Sequence, residues 1–391
     1  MSARHVTAPY LTVGGLCGLT WAASLRGWMA ELVGDGSSFT WLTVVLVLLP
    51  GLVLGLLLGW AAYLRGHDLP APRWLPLAPA LLAVALADPT IFAAFLRDGE
   101  GGGSLIVVAT SLCSGFVLAR HGWSLRRAAG ALVAALGLLL LGLMGTMAAP
   151  LSTARGAWVC LYGFSLVLLL CLASTLPYPR LRPQAADGSL VALGTLCGVA
   201  WACALRAFMA QVAGPASDVH WVDTWAFILL PGAVTGALLG WAEVLRRTGG
   251  RHRWRTLALA PLVFTAVLFS DPAHLSGILA DGIGGGAIGV PVVGMIGGLA
   301  VSGRGPGWAR ALAGLLFGTA LVVWLVTATA VGGQSFALSD PHGLWASVLY
   351  ETLLVTLALG ASVPHRATER DDARPTAGGR RATPTSTTVL R

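Results

Sequence analysis

The sequence predicts an all-α, polytopic membrane protein of about twelve transmembrane helices, arranged as two parallel six-helix repeats. Three observations lead there. The chain is 56% hydrophobic and only 11% charged, whereas soluble domains carry about 25% charge, and its mean hydropathy of +0.77 belongs to a bilayer. Apolar runs of roughly 20 residues, enough to cross about 30 Å of hydrocarbon at 1.5 Å per residue, recur along the chain. The chain is also written twice: Gly14–Ala30 returns as Gly194–Ala210 with ten of seventeen positions identical.

The apolar runs lie near 10–33, 41–64, 74–96, 104–119, 128–149 and 157–176, then 189–213, 222–245, 256–280, 287–303, 309–331 and 344–363. This gives six per copy. The chain then divides into five regions: a cytoplasmic N-terminus (1–9), a first six-helix repeat (10–177), a linker (178–188), a second repeat (189–364) and a disordered tail (365–391). The tail turns abruptly to Arg, Thr, Asp, Gly and Ser. Loop charges test the count independently, because cytoplasmic loops carry the excess of basic residues. Arg65 and Arg73, Arg120 with Arg126 and Arg127, and Arg180 with Arg182 occupy alternate loops, and Arg246 to Arg255, Arg304 and Arg310 continue the pattern. Intervening loops hold Glu31, Asp35, Asp98, Glu100, Asp218, Asp223, Asp281 and Asp340. Arg97 and Arg155 break the rule. Both termini are thus expected in the cytoplasm of a bacterial cell, with the chain in its plasma membrane, and an even helix count per copy makes the halves parallel.

The net charge of +8 comes from arginines placed where topology demands them, so nucleic-acid binding is not expected. All 25 basic residues are Arg, consistent with a GC-rich coding sequence. A cleavable leader is disfavoured because the counterpart of residues 10–33 lies mid-chain. Cys17, Cys113, Cys160, Cys171, Cys197 and Cys203 fall in apolar runs without neighbouring histidines at ligand spacing, so neither a metal nor another cofactor is expected.

Gly51, Gly55 and Gly59, and again Gly232, Gly236 and Gly240, form tandem Gly-x-x-x-Gly stripes that let another helix approach backbone to backbone. Gly14 with Gly18, and Gly194 with Gly198, offer the matching surface, so the first helix should pack on the second and the seventh on the eighth. Arg26 and Arg206 lie well inside their helices, where a lone charge costs about 3 kcal/mol. Asp88 and Asp271, each followed by Pro, reach similar depths, so Arg26–Asp88 and Arg206–Asp271 are the expected ion pairs. They could instead serve a substrate or a proton. The Gly-rich turns after Asp98 and Asp281 lack the remaining parts of a phosphate loop and read as flexible connections. Glu243 is expected to pair with Arg246 or Arg247 at the inner surface. Glu351 has no twin: its counterpart is Phe164, and an intramembrane carboxylate is a functional candidate.

Arg26-Gly-Trp28-Met29 followed by Phe39-Thr-Trp41 resembles a pattern in uncharacterised multi-pass membrane proteins of actinobacteria. The second copy departs from it at Phe208 and Val219. The six-plus-six layout is also similar to the major facilitator superfamily by analogy, but Tyr63 and Val244 stand where that superfamily's loop signature needs Asp. Three function classes remain. A secondary transporter of a small solute or lipid-like molecule fits the duplication and Glu351. A non-catalytic scaffold or subunit fits the short loops and glycine stripes. An enzyme acting on lipid-linked substrates would use outer carboxylates such as Asp35 or Asp98. The lipid bilayer is the partner expected in every case, and the oligomeric state is left open.

Overall fold

The computed structural model describes residues 3–98, 101–119, 122, 124–179, 187–214, 217–249, 254–269 and 286–368. Among these the chain is helical, with no strand. Its helices are α1 (Ala3–Val33), α2 (Trp41–Gly66), α3 (Pro89–Asp98), α4 (Gly102–Leu118), α5 (Leu125–Leu143), α6 (Ala154–Ala173), α7 (Asp187–Ala213), α8 (Trp221–Thr248), α9 (Gly286–Val301), α10 (Gly307–Gly332) and α11 (Pro341–Ala361). Two further stretches, Leu75–Ala87 and Trp254–Phe269, wind as 3₁₀ helices.

Among the described residues seven helices are long and apolar enough to cross a membrane, and the chain is a multi-pass membrane protein. An eighth span is reached if Leu75–Ala87 and α3 count as one bent unit. The expectation of twelve is therefore met only in part, and each shortfall has a physical cause. α1 is long enough, but Arg26 and its Gly and Ser residues dilute its hydropathy. α4 and α9 have only 17 and 16 residues. Pro76 and Pro79 interrupt the third apolar run and Pro261 the ninth, each removing a backbone donor from an α ladder. The tighter 3₁₀ winding accommodates them.

α1, α6, α7 and α11 pack on one another at the centre. Around them α2 lies on α1 and α8 on α7, while α4 and α5 flank α6, and α9 lies against α11. Glycine makes the two closest pairings possible. A Cβ on Gly55 would sit 2.7 Å from the Cα of Gly18, and one on Gly236 would sit 2.9 Å from the Cα of Gly198. Gly51 and Gly59 meet Ala22 and Gly14, and Gly232 and Gly240 meet Ala202 and Val191. Lipid tails are as apolar as the side chains, so this close dispersion contact, rather than hydrophobic burial, holds these helices together.

Indole and phenol donors fasten the central four. Trp21 Nε1 donates to the Leu166 carbonyl and Trp201 Nε1 to the Leu353 carbonyl, both at 2.9 Å. Trp28 Nε1 reaches Val159 O and Trp345 Nε1 reaches Ala23 O, again at 2.9 Å, while the Tyr162 hydroxyl bonds Ser24 O at 2.6 Å. Each is an interhelical bond in a low-dielectric setting, of order 1 kcal/mol.

α2 and α8 each begin with a wide π turn, over Val44–Leu48 and Trp221–Leu229. Pro50 and Pro231 explain both, because a proline offers no N–H to the carbonyl four residues earlier, here Leu46 and Phe227. Each wide turn carries a threonine at the same place in its hairpin: Thr43 immediately precedes the turn of α2, and Thr224 lies within that of α8.

Replacing Gly55 with Leu is expected to lower thermal stability in detergent by about 1–3 kcal/mol or to abolish folded yield. Gly318→Leu on α10, where a Cβ meets nothing within 4 Å, should be neutral. Equal losses at both sites would remove the stripe's role.

Candidate functional site: a polar junction at one end of the central helices

Arg26 lies in the C-terminal half of α1 with 7% of its surface exposed, and Arg206 lies in α7 with 5%. Neither guanidinium is left bare. Arg26 donates to Ser37 Oγ at 3.1 Å, to the Ser38 carbonyl at 2.7 Å and to Thr43 Oγ1 at 3.5 Å. Arg206 repeats the set with Ser217 Oγ at 3.0 Å, the Asp218 carbonyl and Thr224 Oγ1 at 3.4 Å. In both cases a long-chain donor with a fixed planar fork reaches back from a helix, binds the loop after that helix and seats the start of the next one. Arg26 also lies 4.0 Å over the Phe39 ring, and Arg206 lies 5.4 Å over Trp158.

The predicted Arg26–Asp88 ion pair is not made. Asp88 is half-buried, and its Oδ1 accepts from the backbone N–H of Thr90 at 2.8 Å and of Ile91 at 3.3 Å, with the Thr90 hydroxyl beside it. Pro89 starts a new helix, and the carboxylate caps its free amides; this local use of the charge wins over a distant one. Arg26 meets its need for acceptors with hydroxyls and a carbonyl and makes no ion pair among the described residues. Asp271, Asp281 and the glycine turn before α9 lie outside the described residues. So do the side chains of Asp35 and Asp98.

The junction contains groups that sequence reasoning does not bring together. Glu31, 6% exposed, accepts from Arg155 at 3.3 Å. Arg206 and Gln211 lie within electrostatic reach of the same carboxylate. Arg155 is one of two exceptions to the alternation of loop charges, and that exception is the available signal. On the other side His342 stacks on Phe39 at 4.5 Å and lies parallel to Trp345, with Phe336 edge-on. His342 Nε2 is buried without a hydrogen-bond partner among the described residues. Asp340 caps α11 by accepting from the His342 N–H at 2.8 Å.

These contacts tie the first half of the chain to the second. Phe39 meets His342 and Trp345, Trp345 Nε1 bonds Ala23 O, Arg206 covers Trp158, and Trp225 Nε1 reaches Ala154 O at 3.3 Å. Burial changes along the central helices accordingly. On α1, Ala22, Ala23, Ser24, Arg26 and Trp28 are buried, but before Trp21 only Gly15 is, among the described side chains. On α7 no residue before Ala200 is buried, while Ala202–Ala204 and Arg206–Phe208 are. Cys17 and Cys197 lie in the open parts of the two helices. Both are exposed, and Cys17 lies within electrostatic reach of Cys197.

Glu351 is elsewhere. It lies seven residues before Ala358 on the face of α11 that meets Gly297 of α9, and its Oε1 is buried without a hydrogen-bond partner among the described residues. Glu243 pairs with both candidates: Arg246 Nε at 2.7 Å and Arg247 Nε at 2.7 Å.

Compared with known proteins, the chain matches no family model, no curated protein and no solved structure. The site is therefore read from its own residues.

Two measurements check this geometry. Arg26→Met and Asp88→Ala should each destabilise, the second by about 1 kcal/mol as a lost cap, and the double variant should be additive within about 0.5 kcal/mol. Clear coupling would restore the ion pair. Glu31→Gln and Arg155→Gln should couple by about 0.5–1 kcal/mol, a modest value because Arg155 is 41% exposed.

Proposed function

We propose that the protein is a secondary transporter, built from two related six-helix halves in a bacterial plasma membrane with both termini in the cytoplasm. The carrying observation is the contrast along α1 and α7. The halves are joined by aromatic and arginine contacts at the Arg26 end, whereas the residues of α1 before Trp21 and of α7 before Ala200, Cys17 and Cys197 among them, are lightly buried, and we read that stretch as a gap between the halves. That is the form expected of one end state in alternating access, in which two bundles rock about a central site. On the charge alternation, the closed end faces outward and the gap opens to the cytoplasm.

In this reading the short helices α4 and α9, the two 3₁₀ stretches and α1 complete the spans that length and hydropathy alone leave uncounted. Arg26 and Arg206 are structural: they hold the outer loops against the helices and thereby shape the closed gate. Glu351, an acid with one buried oxygen unpartnered among the described residues, is the candidate proton carrier. The cargo is a small solute or a lipid-like molecule that enters the gap beside Cys17 and Cys197.

A scaffold reading draws on a different observation. α5 and α10 are only 17% buried over their apolar windows, leaving broad faces for a partner helix.

The two readings separate on accessibility and flux. In inverted vesicles a membrane-impermeant thiol reagent is expected to label single-cysteine variants retaining Cys17 or Cys197, and a short bifunctional maleimide should bridge the pair. Reconstituted protein should then move at least one member of a solute and lipid panel, with Glu351→Gln removing the response to a pH gradient but not the fold. Folded protein with no flux and thiols reached only by lipid-soluble reagents would sink the transporter.

A further inference from the structure

The two copies of the α1–α2 hairpin differ at the end remote from Arg26. In the first copy Tyr10, Tyr63 and His67 cluster together, Tyr10 edge-on to the other two, with centroid separations of 5.7 Å, 6.1 Å and 4.3 Å, and Trp74 leans on Trp60 at 6.0 Å. When Gly14 is laid on Gly194 and Gly59 on Gly240, those three rings become Leu190, Val244 and Thr248. Trp60 remains as Trp241. The volume the rings fill in the first copy is open in the second: a cleft of about 430 Å³ lies between α7 and α8, lined by Asp187, Val191, Trp241, Val244 and Thr248 among others.

The chemistry of that lining is specific. Asp187 is an exposed carboxylate in the first turn of α7, and Trp241 is 43% exposed with its ring in the same cleft. An aromatic face beside a carboxylate attracts a cation, and a primary ammonium can also donate hydrogen bonds to the carboxylate. The two nearby arginines of α8, Arg246 and Arg247, turn toward Glu243, and neither lines the cleft. Position completes the argument. The cleft lies where one spanning helix begins and another ends, so its mouth is at headgroup depth, and Val191 and Val244 offer an apolar wall for an acyl chain.

We propose that this cleft binds a phospholipid with a primary ammonium headgroup, the ammonium held between Asp187 and Trp241. A phosphatidylglycerol-type headgroup would bring only negative charge to Asp187. A choline headgroup would bring a cation that cannot donate to it. The site is asymmetric because only the second hairpin has lost its aromatic filling, and it does not depend on the protein being a transporter.

The experiment is lipid retention by the full chain, read by native mass spectrometry after purification from nanodiscs holding equal parts phosphatidylethanolamine, phosphatidylcholine and phosphatidylglycerol. The ethanolamine lipid is expected to be retained at least fivefold over either competitor. Asp187→Asn should remove that preference with unchanged thermal stability. Val244→Tyr with Thr248→His restores two of the three rings of the first copy and should expel the lipid. Equal retention of the three lipids, retention of none, or an unaltered preference in Asp187→Asn would each overturn the proposal. If the refilled variant does not fold, the asparagine variant still decides.

Discussion

Burying a guanidinium deep in a membrane helix is the constraint around which the rest of this fold is arranged. Arg26 and Arg206 cannot release their charge, and exposure to hydrocarbon costs about 3 kcal/mol or more each. Their donors must find oxygen. The nearest oxygen lies on the loop after the helix and on the threonine at the start of the next one, so the loop is folded back and the hairpin is closed. A glycine stripe then has to accept the second helix at backbone distance, since the arginine bonds fix how far the chain can travel. The π turns before Pro50 and Pro231 fit this geometry by widening the helix beside the bonded threonine.

Attraction between helices must come from sources other than the expulsion of water. Two are visible here. Dispersion acts along the glycine stripes, and indole N–H groups bond carbonyls of neighbouring helices. The second has a directional consequence: Trp21, Trp28, Trp201 and Trp345 each select a single carbonyl, so the central helices are fixed in register as well as in contact.

Much of this is legible in the sequence, and the reasons for what is not are physical. Apolar runs locate the helices because hydropathy averages over many residues. The glycine stripes and their partners are legible because a missing side chain is visible without coordinates. Asp88 is misplaced by any argument that counts depth along a straight helix, whereas Pro76, Pro79 and Pro89 replace that helix with a 3₁₀ segment and a fresh helix start. The oxygen partners of Arg26 escape a search for carboxylates, although Ser37 and Thr43 recur as Ser217 and Thr224 at matching distances from each arginine. Arg155 stands out as a charge in the wrong loop, and Glu31 beside it supplies the reason.

The hydrogen bonds of Arg26 recur at Arg206; elsewhere equivalent places in the two halves receive different chemistry. Arg155 has its counterpart in His342, so the ion pair to Glu31 faces a stacked imidazole across the junction, and Gln211 stands where a second carboxylate would be. Trp345 donates to Ala23, whereas Trp158 meets Cys203 in place of that alanine and leaves its indole N–H without a hydrogen-bond partner among the described residues. Strict symmetry would have placed a second glutamate at position 211, matched by a second arginine at position 342, and so two carboxylates in a poorly solvated junction. Substituting an amide for one of them leaves a single buried carboxylate to balance Arg155 and Arg206.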